Sequence, residues 1–128
     1  MKLEHIYAII RNCKDQREFK KIMINEGITI NVHYSLYEIL KRITEKYDLP
    51  IEELFTGRKF ENITKVKHIF LYVAHVYQKI PQPKIAAFLN MEMANVSINY
   101  RRVADRMKLY PGYKKEVEEF DYMKINDQ

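Results

Sequence analysis

Apolar residues recur every three or four positions along most of the chain, which is the spacing that buries one face of an α-helix. One apolar stripe follows Ser35, and the spacing of Ser35 from Glu38 fits a capping box at a helix start. A second stripe follows Thr64, which can cap the next helix. The buried face of that helix would comprise Val66, Ile69, Phe70, Val73 and Tyr77. The pattern therefore predicts an all-α fold.

Prolines and one asparagine divide the second half of the chain into shorter helices. Pro81 and Pro83 force a bend, because each disfavours the helical conformation of the residue before it. Pro83 suits the first turn of a short helix that ends near residue 89. Asn90 tolerates the left-handed conformation of a tight turn, and the next helix is predicted over residues 93–108. After a break at residues 110–112, a last helix is marked by Tyr113, Val117 and Phe120.

The positive charge of the protein is concentrated in one segment. The whole chain carries a formal net charge of +5. Residues 57–108 hold ten lysines and arginines against three acidic residues, a net charge of +7, whereas residues 1–56 are neutral and residues 109–128 carry −2. A basic segment that contains two short helices joined by a turn is typical of proteins that bind the phosphates of DNA.

The composition disfavours several other classes of protein. A hydrophobic fraction of 47% is ordinary for a soluble domain, and no apolar stretch is long enough to span a membrane. Cys13 is the single cysteine, which excludes an internal disulfide and a cysteine-based zinc site. His68 and His75 share a helix face, but no carboxylate completes a metal or catalytic pattern around them. We therefore expect a cytoplasmic protein that is not an enzyme and carries no metal or cofactor.

The helix predicted over residues 93–108 carries the candidate recognition surface. Its core-facing positions would be Val96, Tyr100, Val103 and Met107. Asn95 then lies on the outer surface near the helix start, where its amide can pair with adenine for about 1–3 kcal/mol of discrimination. We assign base or sugar contacts to Asn95, Ser97 and Asn99. We assign phosphate contacts to six basic residues: Arg58, Lys59, Lys65, Lys67, Arg101 and Arg102.

Residues 47–107 resemble the C-terminal DNA-binding domain of DnaA, the bacterial replication initiator. The resemblance begins with YDLPIEELFTGRK at residues 47–59 and continues with ITKVKH at residues 63–68. It extends through YVA at residues 72–74, PKIA at residues 83–86 and RRV at residues 101–103. The order and spacing of these motifs carry the resemblance, which covers about half of the chain.

The resemblance implies a helix-turn-helix domain at residues 35–128, preceded by a helical arm at residues 1–34. It implies binding to double-stranded DNA, in replication initiation or its regulation or in transcription control. Met93 and Ala94 stand where the family reads bases, so they join the expected base contacts. The family signature Gly-Gly-Arg-Asp-His-Thr-Thr-Val is replaced by the shorter NMEMANV at residues 90–96, which implies a different target sequence or lower specificity. The sequence contains no phosphate-binding loop of an ATPase module.

A second interpretation is a protein-interaction module that retains this fold without specific DNA reading. Met91, Met93 and Ile98 would form an exposed apolar patch at the recognition turn, unless some of them pack inside it. Methionine side chains suit adaptable protein contacts. A steep salt dependence of DNA affinity would favour the DNA-binding interpretation. In either case, the arm at residues 1–34 is expected to form a homodimer or to hold a protein partner.

Overall fold

The computed structural model describes residues 32–55 and 61–125, and residues 33–125 form one compact unit. The expected helical arm, apart from its last residues, and the assigned phosphate contacts Arg58 and Lys59 lie outside the described residues. Five α-helices are described: α1 (Leu36–Lys46), α2 (Glu61–Tyr72), α3 (Gln82–Leu89), α4 (Met93–Leu109) and α5 (Pro111–Glu118). Short 3₁₀ helices occupy Ile51–Phe55 and Asp121–Met123. The described residues contain no strand, and the predicted all-α fold is confirmed.

Helix α1 begins where the sequence pattern places it. The Ser35 hydroxyl accepts a hydrogen bond from the backbone N–H of Glu38 at 3.1 Å, which is the usual cap of a helix start. The Glu38 carboxylate accepts a bond from Arg42 at 2.9 Å, one turn further along the helix. Ile39, Leu40 and Ile43 are fully buried, so the predicted apolar stripe faces the core.

Helix α2 is the central element and packs most extensively against α4. All five residues of its predicted core face are buried: Val66, Ile69, Phe70, Val73 and Tyr77. The predicted cap at Thr64 is wrong, because the helix already begins at Glu61 and Thr64 lies within its first turn. Ile63 is 5% exposed. The earlier start places this residue on the helix, where it joins the core.

A π-helical turn over Val73–Tyr77 follows α2. Tyr77 and the next residue, Gln78, form hydrogen bonds with residues near both ends of the unit. The side chain of Gln78 is 4% exposed and therefore lies in the core. The Gln78 carbonyl oxygen accepts a bond from the Tyr34 N–H at 2.7 Å, and its amide donates to the Met123 carbonyl at 2.6 Å. The Ile125 N–H donates to the Tyr77 carbonyl at 2.9 Å. Polar groups near both ends of the unit are thus satisfied at one turn.

Helices α3 and α4 are joined by a tight turn at Asn90. Asn90 has φ 54° and ψ 50°, so the predicted left-handed conformation is confirmed. The Met91 N–H donates to the Ala86 carbonyl at 2.9 Å, and the Asn90 N–H donates to the Ala87 carbonyl at 3.3 Å. These two bonds form a Schellman motif, which satisfies the last carbonyls of α3. The turn therefore fixes where α4 begins.

Candidate nucleic-acid interface

The start of α4 is exposed on the side that the sequence assigns to recognition. Ala94 and Asn95 are exposed, and Met93 retains 53% of its accessible surface. Val96 and Val103, which share the opposite face, are fully buried. The residue before the helix, Glu92, has an extended backbone, and its side chain makes no capping bond. The first backbone N–H groups of α4 therefore lie beside an accessible polar and apolar surface.

One ridge of α4 combines amide and guanidinium groups. Asn95, Asn99, Arg102 and Arg106 follow one another at intervals of three or four residues, which places them on one side of the helix. The Arg102 guanidinium donates to the Asn99 amide oxygen at 3.5 Å, a long bond between neighbouring turns. Asn95 and Arg102 are exposed, whereas Asn99 is half-buried. We call these four residues the polar ridge.

Two assigned residues lie away from this ridge. Ser97 is two positions after Asn95 and therefore projects to the other flank of α4, where it is half-buried. The guanidinium of Arg101 is exposed and lies 5.9 Å from the ring centroid of Tyr100. The structure thus brings Asn95, Asn99 and Arg102 together but separates Ser97 and Arg101 from them.

The polar ridge faces the basic side of α2. His68 of α2 is 8% exposed, and its pKa is lowered to about 4, chiefly by burial and further by Arg106, Arg102 and Lys67. The Nδ1 atom of His68 is buried without a hydrogen-bond partner among the described residues. The charges that shift this pKa come from three cations, and no acidic group among the described residues raises it. The seam between α2 and α4 therefore has a positive potential, which favours a bound anion.

Lys65, an assigned phosphate contact, already has an acidic partner. Its ammonium lies 2.7 Å from a carboxylate oxygen of Glu116 on α5 and 5.6 Å from the ring centroid of Tyr47. The same oxygen accepts a long bond of 3.5 Å from the Tyr47 hydroxyl. Burial and the charge of Glu116 raise the pKa of this hydroxyl. A phosphate at Lys65 would therefore have to compete with the Glu116 carboxylate.

Sequence reasoning missed one basic residue and one cleft. Arg106 follows Arg102 by one turn, so helical periodicity could have added it to the phosphate contacts. Arg106 also lines a half-open cleft of about 460 Å³, together with Thr64, Lys65 and Tyr113. These four residues come from three helices. No local pattern in the sequence could have shown that they meet.

The apolar patch at the recognition turn is exposed in part. Ile98 retains 48% of its accessible surface, and Met93 slightly more, whereas Met91 is half-buried. Ile98 follows Asn95 by three residues and therefore lies beside it on α4, whereas Met93 is the first residue of the helix. This surface suits thymine methyl groups or an apolar protein partner equally well.

His75, like His68, packs against other parts of the fold. The His75 ring lies 4.7 Å from the ring of Tyr100, and its Nδ1 is 2.9 Å from the Ile80 carbonyl, to which it can only donate. Its Nε2 is then the acceptor for the Gln82 amide at 3.4 Å. Among the described residues, no group of three metal-binding side chains is found. None of the described helices has the length and apolar character needed to cross a membrane.

Comparison of the chain with known protein families, with curated proteins and with solved structures finds no match.

Proposed function

We propose that this protein binds double-stranded DNA, with α3 as the supporting helix and α4 as the recognition helix. The observation that carries the proposal is the exposed start of α4 beside the polar ridge and the positive seam. Helices joined by a tight turn are a common means of entering the major groove, with the first residues of the second helix nearest the bases. The resemblance to the initiator's DNA-binding domain supports the same use of these helices.

The spacing along α4 suits both base and phosphate contacts. Asn95 lies in the first turn, where an exposed amide can bind adenine in the major groove. Arg106 follows eleven residues later, about 16 Å along the helix axis. Arg102 lies between them. The start of α4 would thus contact bases, and Arg102 and Arg106 would bind phosphates two to three turns later. DNA recognition requires both kinds of contact.

The basic groups of α4 are accessible for this purpose. Arg101, Arg102 and Arg106 are exposed, and none of them forms an ion pair with another described residue. Lys67 is half-exposed on α2. Phosphates of one DNA strand could therefore be bound without first breaking an ion pair at these four positions. We infer a role in replication initiation or its regulation, or in transcription control.

The second candidate function is protein binding through the recognition turn. Exposed Met93 and Ile98 favour this alternative, because adaptable apolar side chains suit protein contacts. Met93→Ser combined with Ile98→Ser would separate the two functions. A protein-binding module would lose its partner, whereas a DNA-binding protein would keep its affinity for phosphates.

Selection from random double-stranded DNA, followed by sequencing, tests the proposal. The proposed function predicts an enriched motif of a few base pairs. The variant Asn95→Ala should lose preference at one position of that motif while still retaining DNA. If DNA is retained but no motif is enriched, the assigned base contacts are wrong. A folded protein that retains no DNA at low salt would contradict the proposal.

A further inference from the structure

The cleft lined by Thr64, Lys65, Arg106 and Tyr113 has the chemical character of an anion site. Two cationic side chains and two hydroxyl groups border a volume of about 460 Å³. The volume exceeds that of one phosphate group, so the cleft could also admit part of a larger molecule. Thr64 lies close to the start of α2, and its hydroxyl can donate a hydrogen bond to an anion.

The Nδ1 atom of His68, a side chain more than nine-tenths buried, lacks a hydrogen-bond partner among the described residues. The buried hydroxyl of Tyr113 belongs to the lining, and its neighbour is the Arg106 side chain, which lowers the tyrosine's pKa by hydrogen bonding and by charge. His68 follows Thr64 by four residues and therefore lies on the same face of α2. Buried polar groups are nearly always paired in folded proteins, and a bound group beside α2 could pair with Nδ1 of His68.

The charges around the cleft specify the sign of that ligand. Arg106 acts on both His68 and Tyr113. Its charge further lowers the pKa of the buried histidine. At Tyr113, its hydrogen bonding and charge partly offset the rise in pKa that burial and the charge of Glu116 cause. Lys65 holds an oxygen of Glu116 at 2.7 Å. A carboxylate oxygen thus already occupies one position at which a phosphate oxygen could bind Lys65. Phosphate would replace it with more oxygens and greater charge.

We propose that this cleft binds a phosphate group, held by Arg106 and Lys65 and by hydroxyl donors from Thr64 and Tyr113. The phosphate can come from the DNA backbone or from a small phosphate compound in solution. The first source rests on the proposed function, whereas the second does not depend on it. In both cases Glu116 competes with the ligand for Lys65, so it limits the affinity of the site.

Titration of the full chain with inorganic phosphate tests the site directly. Amide shifts are followed by NMR at constant ionic strength, with chloride as the balancing anion. We expect saturable shifts that include the residues at the start of α2. The variant Arg106→Gln should weaken phosphate binding about tenfold or more, because it removes a charge-assisted bond. Glu116→Gln should tighten binding severalfold, because it releases Lys65.

The matched control is Lys108→Gln. Lys108 is exposed on the same helix, but it lies two positions after Arg106 and thus projects to the opposite flank. The Lys108→Gln substitution removes one positive charge, as Arg106→Gln does, and should leave phosphate binding nearly unchanged. The proposal is overturned if no saturable shift is found, or if Arg106→Gln and Lys108→Gln behave alike. The gain expected from Glu116→Gln does not depend on the stability of the Arg106 variant.

The same titration repeated in the presence of DNA identifies the source of the phosphate. If the DNA backbone fills the cleft, inorganic phosphate at constant ionic strength should weaken DNA binding by wild type but not by Arg106→Gln. If a small phosphate compound fills it, phosphate should bind equally well with DNA present. Both results support the site. Phosphate binding by a chain that does not bind DNA would contradict the proposed function and leave this inference standing.

Discussion

His68 couples the stability of the protein to pH at a single residue. Its pKa is lowered to about 4, whereas the ordinary value is 6.5. The folded protein therefore resists protonation at a pH where the unfolded chain accepts a proton. The stability present above pH 6.5 is lost as the pH falls towards 4, because protons then favour the unfolded chain. Each unit of difference corresponds to about 1.4 kcal/mol.

We predict that the free energy of unfolding falls by on the order of 2 kcal/mol between pH 7 and pH 4.5 because of His68. Urea unfolding of wild type and His68→Leu at both pH values would measure this contribution as a difference. His33→Gln, which removes an exposed histidine, is the control and should behave as wild type. An equal pH dependence in wild type and His68→Leu would show that His68 is not the group responsible.

Gln78 is a second residue whose effect can be measured alone. Its side chain satisfies the Tyr34 N–H and the Met123 carbonyl. We predict that Gln78→Leu lowers the free energy of unfolding by about 2–4 kcal/mol, because two backbone groups lose their partner in a buried site. Thermal and urea unfolding would measure the loss. Asn62→Ala changes an exposed amide on α2 and should cost far less. Equal losses of unfolding free energy in the two variants would show that the hydrogen bonds of Gln78 do not stabilise the fold.

At the scale of elements, the turn between α3 and α4 depends on the backbone conformation of Asn90. A left-handed conformation costs a residue with a branched side chain about 1–2 kcal/mol, whereas glycine adopts it freely. We therefore predict that Asn90→Val destabilises the protein by about this amount and that Asn90→Gly does not. Asn90 is exposed, so neither change alters core packing. Equal unfolding midpoints for the two variants would argue against a strained turn.

The division of labour along α4 gives a further prediction. Arg101→Ala should weaken binding to all duplexes alike, because a phosphate contact carries no sequence information. Asn95→Ala should instead reduce discrimination at one position by about 1–3 kcal/mol. Affinities for the selected duplex and its single-base variants would separate the two effects. A uniform loss in both variants would mean that Asn95 does not read a base.

The helices themselves were largely predictable from the sequence. Periodicity and proline placement predicted α1, α3 and α4, because these features act within a few residues of one another. The left-handed Asn90 was predictable for the same reason. The start of α2 was placed wrongly, since a threonine before an apolar run has the pattern of a cap even where the helix begins earlier. The π-helical turn at Val73–Tyr77 was not predicted, because its apolar positions fit a continuing α-helix.

The candidate site was predictable only in part. The exposed residues of α4 follow from its buried face, and Val96 and Val103 were assigned to that face correctly. The pairing of Lys65 with Glu116 joins residues 51 positions apart. The burial of His68 depends on how α2 packs in the folded chain. Contacts of this kind arise from the tertiary fold and leave no local pattern in one sequence.

At the scale of the whole molecule, ion pairs join the acidic C-terminal segment to lysines of earlier elements. Glu116 and Glu119 bind Lys65 and Lys46, at 2.7 Å and 3.4 Å respectively. The acidic C-terminal segment thereby neutralises lysines of earlier elements. The three exposed arginines of α4 form no such pairs within the described part of the chain. The positive charge of these arginines is therefore available to an anionic ligand on α4.

The salt dependence of DNA affinity tests the central claim most directly. Binding of a labelled duplex to the full chain is measured by fluorescence anisotropy over a range of salt concentrations. A footprint of four to six phosphates predicts a slope of about −4 to −5 for the logarithm of the affinity constant against the logarithm of the salt concentration. Arg102→Ala should make this slope less negative by about one. A flat response, or no binding at low salt by the folded protein, would contradict the account.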